Sequence, residues 1–250
     1  MENTHVGREF LKAYGWSRRG TSDQQKGVPM PAIQKALPEN AQTLNLVDPA
    51  EFKVGNVAVL DVIKKRQSRR RFTNEPLTLE ELSYLLWATQ GLRAAHRDGR
   101  PSFRTVPSAG ARHPFETYVA VHRVEGLEPG LYRYLPLDHK LCLIYQSDSL
   151  PDVVTEACIG QRFVAEAAAV FVWTVIPYRA EWRYAVASHK HIALDAGHVC
   201  QNLYIAAESI GAGTCAIGAY DQDAMDRMVG VDGEDEFVIY AAPVGKVPKE

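Results

Sequence analysis

Arg66, Ser68 and Arg70 stand two residues apart in the stretch KKRQSRRRF (64–72), which packs six cationic side chains into nine positions. An extended backbone turns alternate side chains to one side, so these three would converge. Two guanidinium groups and a hydroxyl make a receptor for a phosphate dianion, because Arg forks onto phosphate oxygens and Ser adds a short hydrogen bond. A solvated charged face is the plain alternative, and a nucleic-acid backbone is the other. The whole chain carries 28 Lys+Arg against 30 Asp+Glu, so outside the stretch 22 cations (28 − 6) face 30 anions. A compact cluster in an acidic remainder fits one phosphate on a small ligand better than a polyanion. Nucleic-acid grooves also interleave several aromatics with their cations, and this stretch has only Phe72.

Other chemistries find little support. GAGTCA (211–216) satisfies a dinucleotide-binding pattern, but that pattern needs a strand before it and a helix after it, and the reading below gives the reverse order. The sequence has no P-loop, no H-E-x-x-H and no G-x-S-x-G. His189, His191 and His198 share one helical stretch without carboxylate or thiolate partners at ligand spacing, so no metal is expected. Cys142, Cys158, Cys200 and Cys215 are scattered, as buried thiols of a reducing compartment would be. No basic-then-apolar leader opens the sequence, and the longest apolar stretch, AAAVFVWTVI (167–176), is too short to cross a bilayer. A cytoplasmic protein without nucleic-acid or membrane partners is the expectation.

The elements that must position these residues follow from patterning. At 250 residues and 46% hydrophobic composition, one substantial core is affordable. Residues 1–55, with Pro29, Pro31, Pro38 and Pro49 and no sustained apolar period, read as an extended arm on a surface. Residues 56–250 read as the folded domain. NVAVLDVIKKRQ predicts a helix feeding the basic stretch. TLEELSYLLWATQG predicts a helix capped by Thr78 with Glu81 three residues on, ending at Gly91. FETYVAVHRV predicts a strand, LYRY and KLCLIY a hairpin, and DVVTEACIGQRFVAEA one helix from Pro151. VFVWTVI predicts a fully buried strand. HKHIALDAGHVCQNLYIAAESIGAG predicts the longest helix, closed by Gly211. TCAI predicts a short strand, DQDAMDRMVG a helix and EFVIYAAPVG the last strand. Irregular alternation with a central hairpin indicates an α+β fold, not a doubly wound parallel sheet.

In combination, RQSRRRF, LTLEELSYLLWATQG, VPSAGARHPFETYVAV, the helix DAGHVCQNLYIAAESIGAGTCAIGAYDQDAMDRMVGVD and the strand FVIYAAPVGK resemble the FMN-dependent nitroreductase superfamily. Within it the sequence is most similar to the SagB-type dehydrogenase branch, which includes azoline-oxidising enzymes of modified-peptide pathways. The resemblance covers about 57–246. It implies a three-layer fold with a mostly antiparallel central sheet flanked by helices, in an interlocked homodimer with two FMN sites, each built from both chains.

Residue by residue, the resemblance implies that Arg66, Ser68 and Arg70 take the FMN phosphate and ribityl chain, with Lys246 or Lys249 adding a cation. It implies that Pro107, Ser108, Ala109, Gly110 and Ala111 contact the flavin ring of the other subunit's site. Gln161 would turn its amide to the polar edge of the flavin, and Gly218–Ala219 would aim a backbone N–H at N5. Arg70 or Arg112 would hold negative charge at the N1–C2 edge. NADH or NADPH would visit as hydride donor and then give way to a second substrate. Arg183 and Tyr184 fall where azoline-oxidising relatives carry Lys-Tyr. An arginine does not lose its proton as a lysine can, so Arg183 suits binding of a carbonyl or anion, and Tyr184 is the proton-handling candidate. An interface tyrosine beside a solvent-facing arginine is the structural alternative. Three functions remain: an NAD(P)H-driven reductase of nitro-aromatics, quinones or activated alkenes; a dehydrogenase or oxidase of a peptide or other natural product; and a non-catalytic flavin- or RNA-binding protein.

Overall fold

A computed structural model describes residues 4–12, 15–94 and 102–248. In chain order its helices and strands are α1 (His5–Leu11), α2 (Gly15–Arg18), β1 (Thr43–Asn45), α3 (Val59–Lys65), α4 (Leu79–Gln90), β2 (Leu92–Ala94), β3 (Phe103–Arg104), β4 (Phe115–Val121), β5 (Gly130–Leu135) and β6 (Lys140–Gln146). There follow α5 (Leu150–Ala157), α6 (Phe163–Glu166), β7 (Ala169–Val175), α7 (Tyr178–Tyr184), α8 (Ser188–Ser209), β8 (Ala212–Thr214), α9 (Gln222–Val229) and β9 (Phe237–Lys246).

Seven strands form one sheet in the order β1-β6-β5-β4-β7-β9-β8, and every neighbouring pair is antiparallel. Helices cover both faces. Val119, Val121, Phe171 and Trp173 pack with Leu82, Leu86, Val199 and Leu203 of α4 and α8. Their neighbours Tyr118, Ala120, Val170 and Val172 point the other way, onto Val154 of α5 and Met225 and Met228 of α9. Strands β4 and β7 are therefore buried at every position, which explains their continuous apolar runs: a strand with both faces covered has no reason to alternate. The fold is the expected α+β sandwich of helices about an antiparallel sheet.

Helix α4 starts as its sequence predicts. Glu81 N donates to the Thr78 hydroxyl at 3.1 Å and Thr78 N donates to Glu81 Oε2 at 3.0 Å, a reciprocal cap worth about 1 kcal/mol. Gly211, with φ at 67°, follows the end of α8, where a left-handed residue without a Cβ turns the chain cheaply.

Three expectations need correction. The single helix expected over 151–167 is two, α5 and α6, separated by Ile159 and Gly160 at φ 58° and 68°. The strand expected at TCAI lies two residues earlier, at Ala212–Thr214, where β9 offers its edge. The first 55 residues are more than an extended arm: they hold two short helices, and β1 extends the sheet by pairing with β6. Between them, residues 33–36 are tied down by buried arginines. Arg104 donates to the Ile33 carbonyl at 2.9 Å and Arg133 to the Ala36 carbonyl at 2.7 Å. No helix among the described residues is long and apolar enough to cross a membrane.

Candidate functional site

Where α3 ends, Arg66 caps it by donating its N–H to the Val62 carbonyl, and the chain then runs extended along β8. Ser68 bridges Thr214 in parallel, and Arg69 N donates to the Thr214 carbonyl at 2.9 Å. This pairing enforces the two-residue alternation. The Arg66 guanidinium lies 5.4 Å from the Tyr204 ring centre, the Ser68 and Tyr204 hydroxyls are hydrogen-bonded at 3.0 Å, and the Arg70 guanidinium lies 6.0 Å from the Phe163 ring centre. Ala216 N donates to the Tyr204 oxygen at 2.8 Å, and either hydroxyl of the Ser68–Tyr204 pair can be the donor between them. Among the described residues no carboxylate pairs with Arg66 or Arg70. Two guanidinium groups without carboxylate partners among the described residues, beside a serine hydroxyl, fit a phosphate-bearing group.

The helix break at 159–160 serves this same region. It sets the Gln161 amide where Nε2 donates to the Cys158 carbonyl at 2.9 Å and to the Ala219 carbonyl at 3.0 Å. Gly218 and Ala219 are exposed, and a Cβ added at Gly218 would meet nothing within 4 Å. Arg66 and Ser68 thus stand at Tyr204 in the C-terminal half of α8, Arg70 at Phe163 of α6, and Gln161, just before α6, is tied to Ala219.

Lys246 is placed elsewhere. It lines the opposite side of the extended stretch, with Lys64, Lys65, Gln67 and Arg69, around a cavity of about 650 Å³. Its ammonium is held by Glu81 and by the Ile210 carbonyl at 3.2 Å. The structure does not bring it beside Arg66, Ser68 and Arg70; Lys249 lies outside the described residues.

The 107–111 loop forms a second group. The Ser108 hydroxyl donates to Asp195 Oδ2 at 2.7 Å, Ala109 N donates to the same oxygen at 3.0 Å, and His113 N donates to the Ser108 oxygen at 2.9 Å. Gly110, Ala111 and His113 all have positive φ, at 59°, 52° and 45°. Left-handed backbone at two residues that carry a Cβ is strain of the kind that persists where surrounding structure enforces it, often at functional sites. Pro107 is exposed. A Cβ at Gly110 would lie 2.4 Å from the Tyr184 hydroxyl and 2.9 Å from Arg183 Nε, so only glycine admits these side chains so close to the loop. Arg112 is buried, its guanidinium 5.2 Å from the Trp182 ring centre; burial, with Arg183 nearby, lowers its pKa. Arg183 in turn lies 5.5 Å from the Tyr184 ring.

His113 gives this loop a pH signature. Burial, with Arg104 and Arg112 nearby, pushes its imidazole down to about 3. The unfolded chain then binds a proton that the folded chain refuses, so the stabilisation present above the ordinary histidine pKa is lost as pH falls below it toward about 3. His113→Asn, which keeps a residue tolerant of left-handed backbone, is expected to lose less melting temperature than the wild type between about pH 7 and about pH 4.5. Equal losses in thermal melts of the two proteins would remove His113 as the source.

Both groups rest on α8. Asp195 and Tyr204 stand nine residues apart, about 13.5 Å along the helix axis at 1.5 Å per residue. Sequence reading missed Asp195, Tyr204 and Phe163. Asp195 had a signal: it sits on the apolar stripe with Ile192, Ala196 and Val199, all buried, and an acid on such a stripe needs donors. Burial raises its pKa, opposed by the hydrogen bonds from Ser108 and Ala109. The three histidines noted on this helix are apart in role, with His189 bonded to Glu181 at 2.7 Å and His198 at 3.8 Å from Asp195.

Residues 63–246 match the nitroreductase family. The chain belongs to that family. It is 34% identical over 193 residues to the nitroreductase-family protein MJ1384 of Methanocaldococcus jannaschii, a match covering 77% of this chain and 93% of that protein. A nitroreductase-family crystal structure from Ralstonia eutropha JMP134 superposes with a TM-score of 0.68 at 25% identity, covering 89% of this chain and 98% of the other. The fold is also shared with a chain of the Escherichia coli microcin synthetase McbBCD complex with truncated pro-MccB17 bound (TM-score 0.62, 18% identity), over 97% of this chain and 94% of that one. The family match and the likeness to MJ1384 make the protein a nitroreductase-family oxidoreductase.

Proposed function

We propose that the protein is an FMN-dependent oxidoreductase that takes electrons from NAD(P)H and passes them to a small organic acceptor such as a nitro-aromatic, quinone or activated alkene. The observation that supports this reading is that Arg66 and Ser68 both meet Tyr204 beside the stretch along β8, with Arg70 over Phe163, and that no carboxylate among the described residues pairs with either arginine. These three residues would hold the FMN phosphate and ribityl chain, with Gln161 and Gly218–Ala219 against the ring. Bound FMN would supply a two-electron carrier that accepts hydride. Loop 107–111, braced by Asp195, would offer its backbone to a planar ring, and Arg112 a fixed positive charge in a place poor in water, where charge counts for more. Arg183 would bind an anionic or carbonyl substrate and Tyr184 would handle a proton at its hydroxyl.

A homodimer is part of the proposal. One chain keeps its two groups about 13.5 Å apart along α8, and α3 turns Val59, Leu60 and Ile63 to solvent at 66%, 61% and 58% exposure. Such an apolar face suits burial against a second copy.

Action on a peptide or other natural product is the second reading. The McbBCD likeness, in a complex with a bound peptide and extending over the N-terminal segment, favours it, whereas Arg183 in place of lysine weighs against azoline oxidation. A visible spectrum followed by anaerobic NADPH titration decides between them. A yellow protein bleached promptly by NADPH supports the reductase. Slow bleaching with fast reoxidation by oxygen supports the second reading, and colour without turnover indicates a flavin-binding protein. A colourless protein that takes up no FMN on dialysis sinks the proposal.

A further inference from the structure

We propose that the N-terminal arm completes a binding site for a planar aromatic ring bearing an acidic group, with Trp16 as its specificity-determining residue. This rests on the reading of Tyr184 and loop 107–111 as the substrate side of the site. Trp16 lies outside the 63–246 region that matches the family, so the site is a feature of the arm.

A cavity of about 450 Å³ lies between α1–α2 and the segment 186–194, lined by Phe10, Trp16, Val186, Lys190, His191 and Leu194. That volume is in the range of small-molecule sites. Phe10, Trp16, Val186 and Leu194 are each more than two-fifths exposed, at 44%, 46%, 54% and 51%. Scattered exposed apolar side chains are ordinary; four around one hollow mark a surface that gains by being covered.

The aromatic preference comes from ring geometry. Trp16 meets Tyr184 edge-to-face at 5.7 Å and His191 edge-to-face at 5.6 Å, while Tyr184 and His191 stand 5.7 Å apart. Trp16 set edge to face with both rings, which are tilted at 48° to each other, offers with them both the positive edges and the negative faces that a further ring prefers. The acidic preference comes from charge. Glu9 is taken by Lys12 at 2.6 Å and Glu181 by His189 at 2.7 Å. Lys190 has no hydrogen-bond or ion-pair partner among the described residues, and the Arg19 guanidinium lies 5.1 Å from the Trp16 ring centre. A positive surplus with aromatic walls is complementary to an aromatic acid. Tyr184 joins this hollow to the loop, since its hydroxyl packs against Gly110 on the other side. A ring held by Trp16 would sit one side chain away from that loop.

The test uses the full chain as purified, with 1-naphthoate as probe and cyclohexanecarboxylate as the non-aromatic acid, followed by calorimetry and by ligand-observed NMR. Wild type is expected to bind naphthoate saturably, and cyclohexanecarboxylate about tenfold more weakly or worse. Trp16→Ala should weaken naphthoate about tenfold or more, and Trp16→Phe should recover most of it. Absence of saturable naphthoate binding to wild type, equal binding of the two acids, or unchanged naphthoate affinity in Trp16→Ala would each overturn the proposal. Flavin absorbance of the same samples keeps the two readings separate: a colourless protein that binds naphthoate through Trp16 would sink the proposed function and leave this site standing.

Discussion

Arg66→Ala combined with Arg70→Ala is expected to give a folded protein that loses its flavin on dialysis, with FMN affinity weakened at least about a hundredfold. Each charge-assisted hydrogen bond contributes about 1.5–3 kcal/mol, and about 1.4 kcal/mol is a tenfold change in affinity, so two contacts together exceed that bound. The cost to the fold should be small by comparison. Arg66 is half-buried and Arg70 exposed, and neither neutralises a carboxylate among the described residues, so truncation strands no buried charge. What the fold loses is stacking over Tyr204 and Phe163, about 0.5–1 kcal/mol for each exposed pair. Lys64→Ala, which removes a cation of the same stretch from the opposite side, should keep the colour. The measurement is flavin absorbance after dialysis, alongside a thermal melt. A double variant that stays yellow would show that the phosphate lies elsewhere.

What could be read from the sequence was what is decided within a few residues. Thr78 and Glu81 cap α4 through bonds spanning three positions, and the extended stretch that carries Arg66 and Ser68 to Tyr204 has a spacing of two residues. The failures are tertiary. A lone glycine inside a helical pattern is tolerated, so nothing local marks Gly160 as a break; a bond from Gln161 to Ala219, 58 positions away, helps fix it. The three residues of β8 are chosen by β9, not by their own propensity. Lys246 was expected at the phosphate by resemblance, and its ammonium is claimed by Glu81, 165 positions distant. That glutamate already serves the α4 cap, so one carboxylate joins the start of α4 to the end of β9, and position along the chain gave no hint of it. Tyr204 and Phe163 were invisible for the same reason: their role exists only where α6 and α8 meet the stretch along β8.

Arg179→Ala should cost about 3–5 kcal/mol, the range for breaking a buried ion pair from one side. Arg179 Nη2 donates to Glu116 Oε1 at 2.6 Å, and both side chains are almost wholly buried, at 4% and 2% exposure. The same glutamate oxygen accepts the Lys35 N–H at 2.8 Å, so the pair pins α7 and the arm together onto β4. Removing the guanidinium leaves Glu116 buried with one neutral donor, and the cost is that of desolvating its charge. Arg179→Met with Glu116→Gln keeps volume without charge and should recover part of the loss, because a well-packed neutral pair often replaces a buried ion pair at little net cost. Chemical denaturation with unchanged m-value is the measurement, and a single variant that costs less than about 1 kcal/mol would contradict the assignment of the pair as a buried anchor. The consequence extends to the site. Helix α7 carries Arg183 and Tyr184 against Gly110, so loosening its anchor should raise KM for the acceptor substrate while the flavin, held from the other end of α8, stays bound.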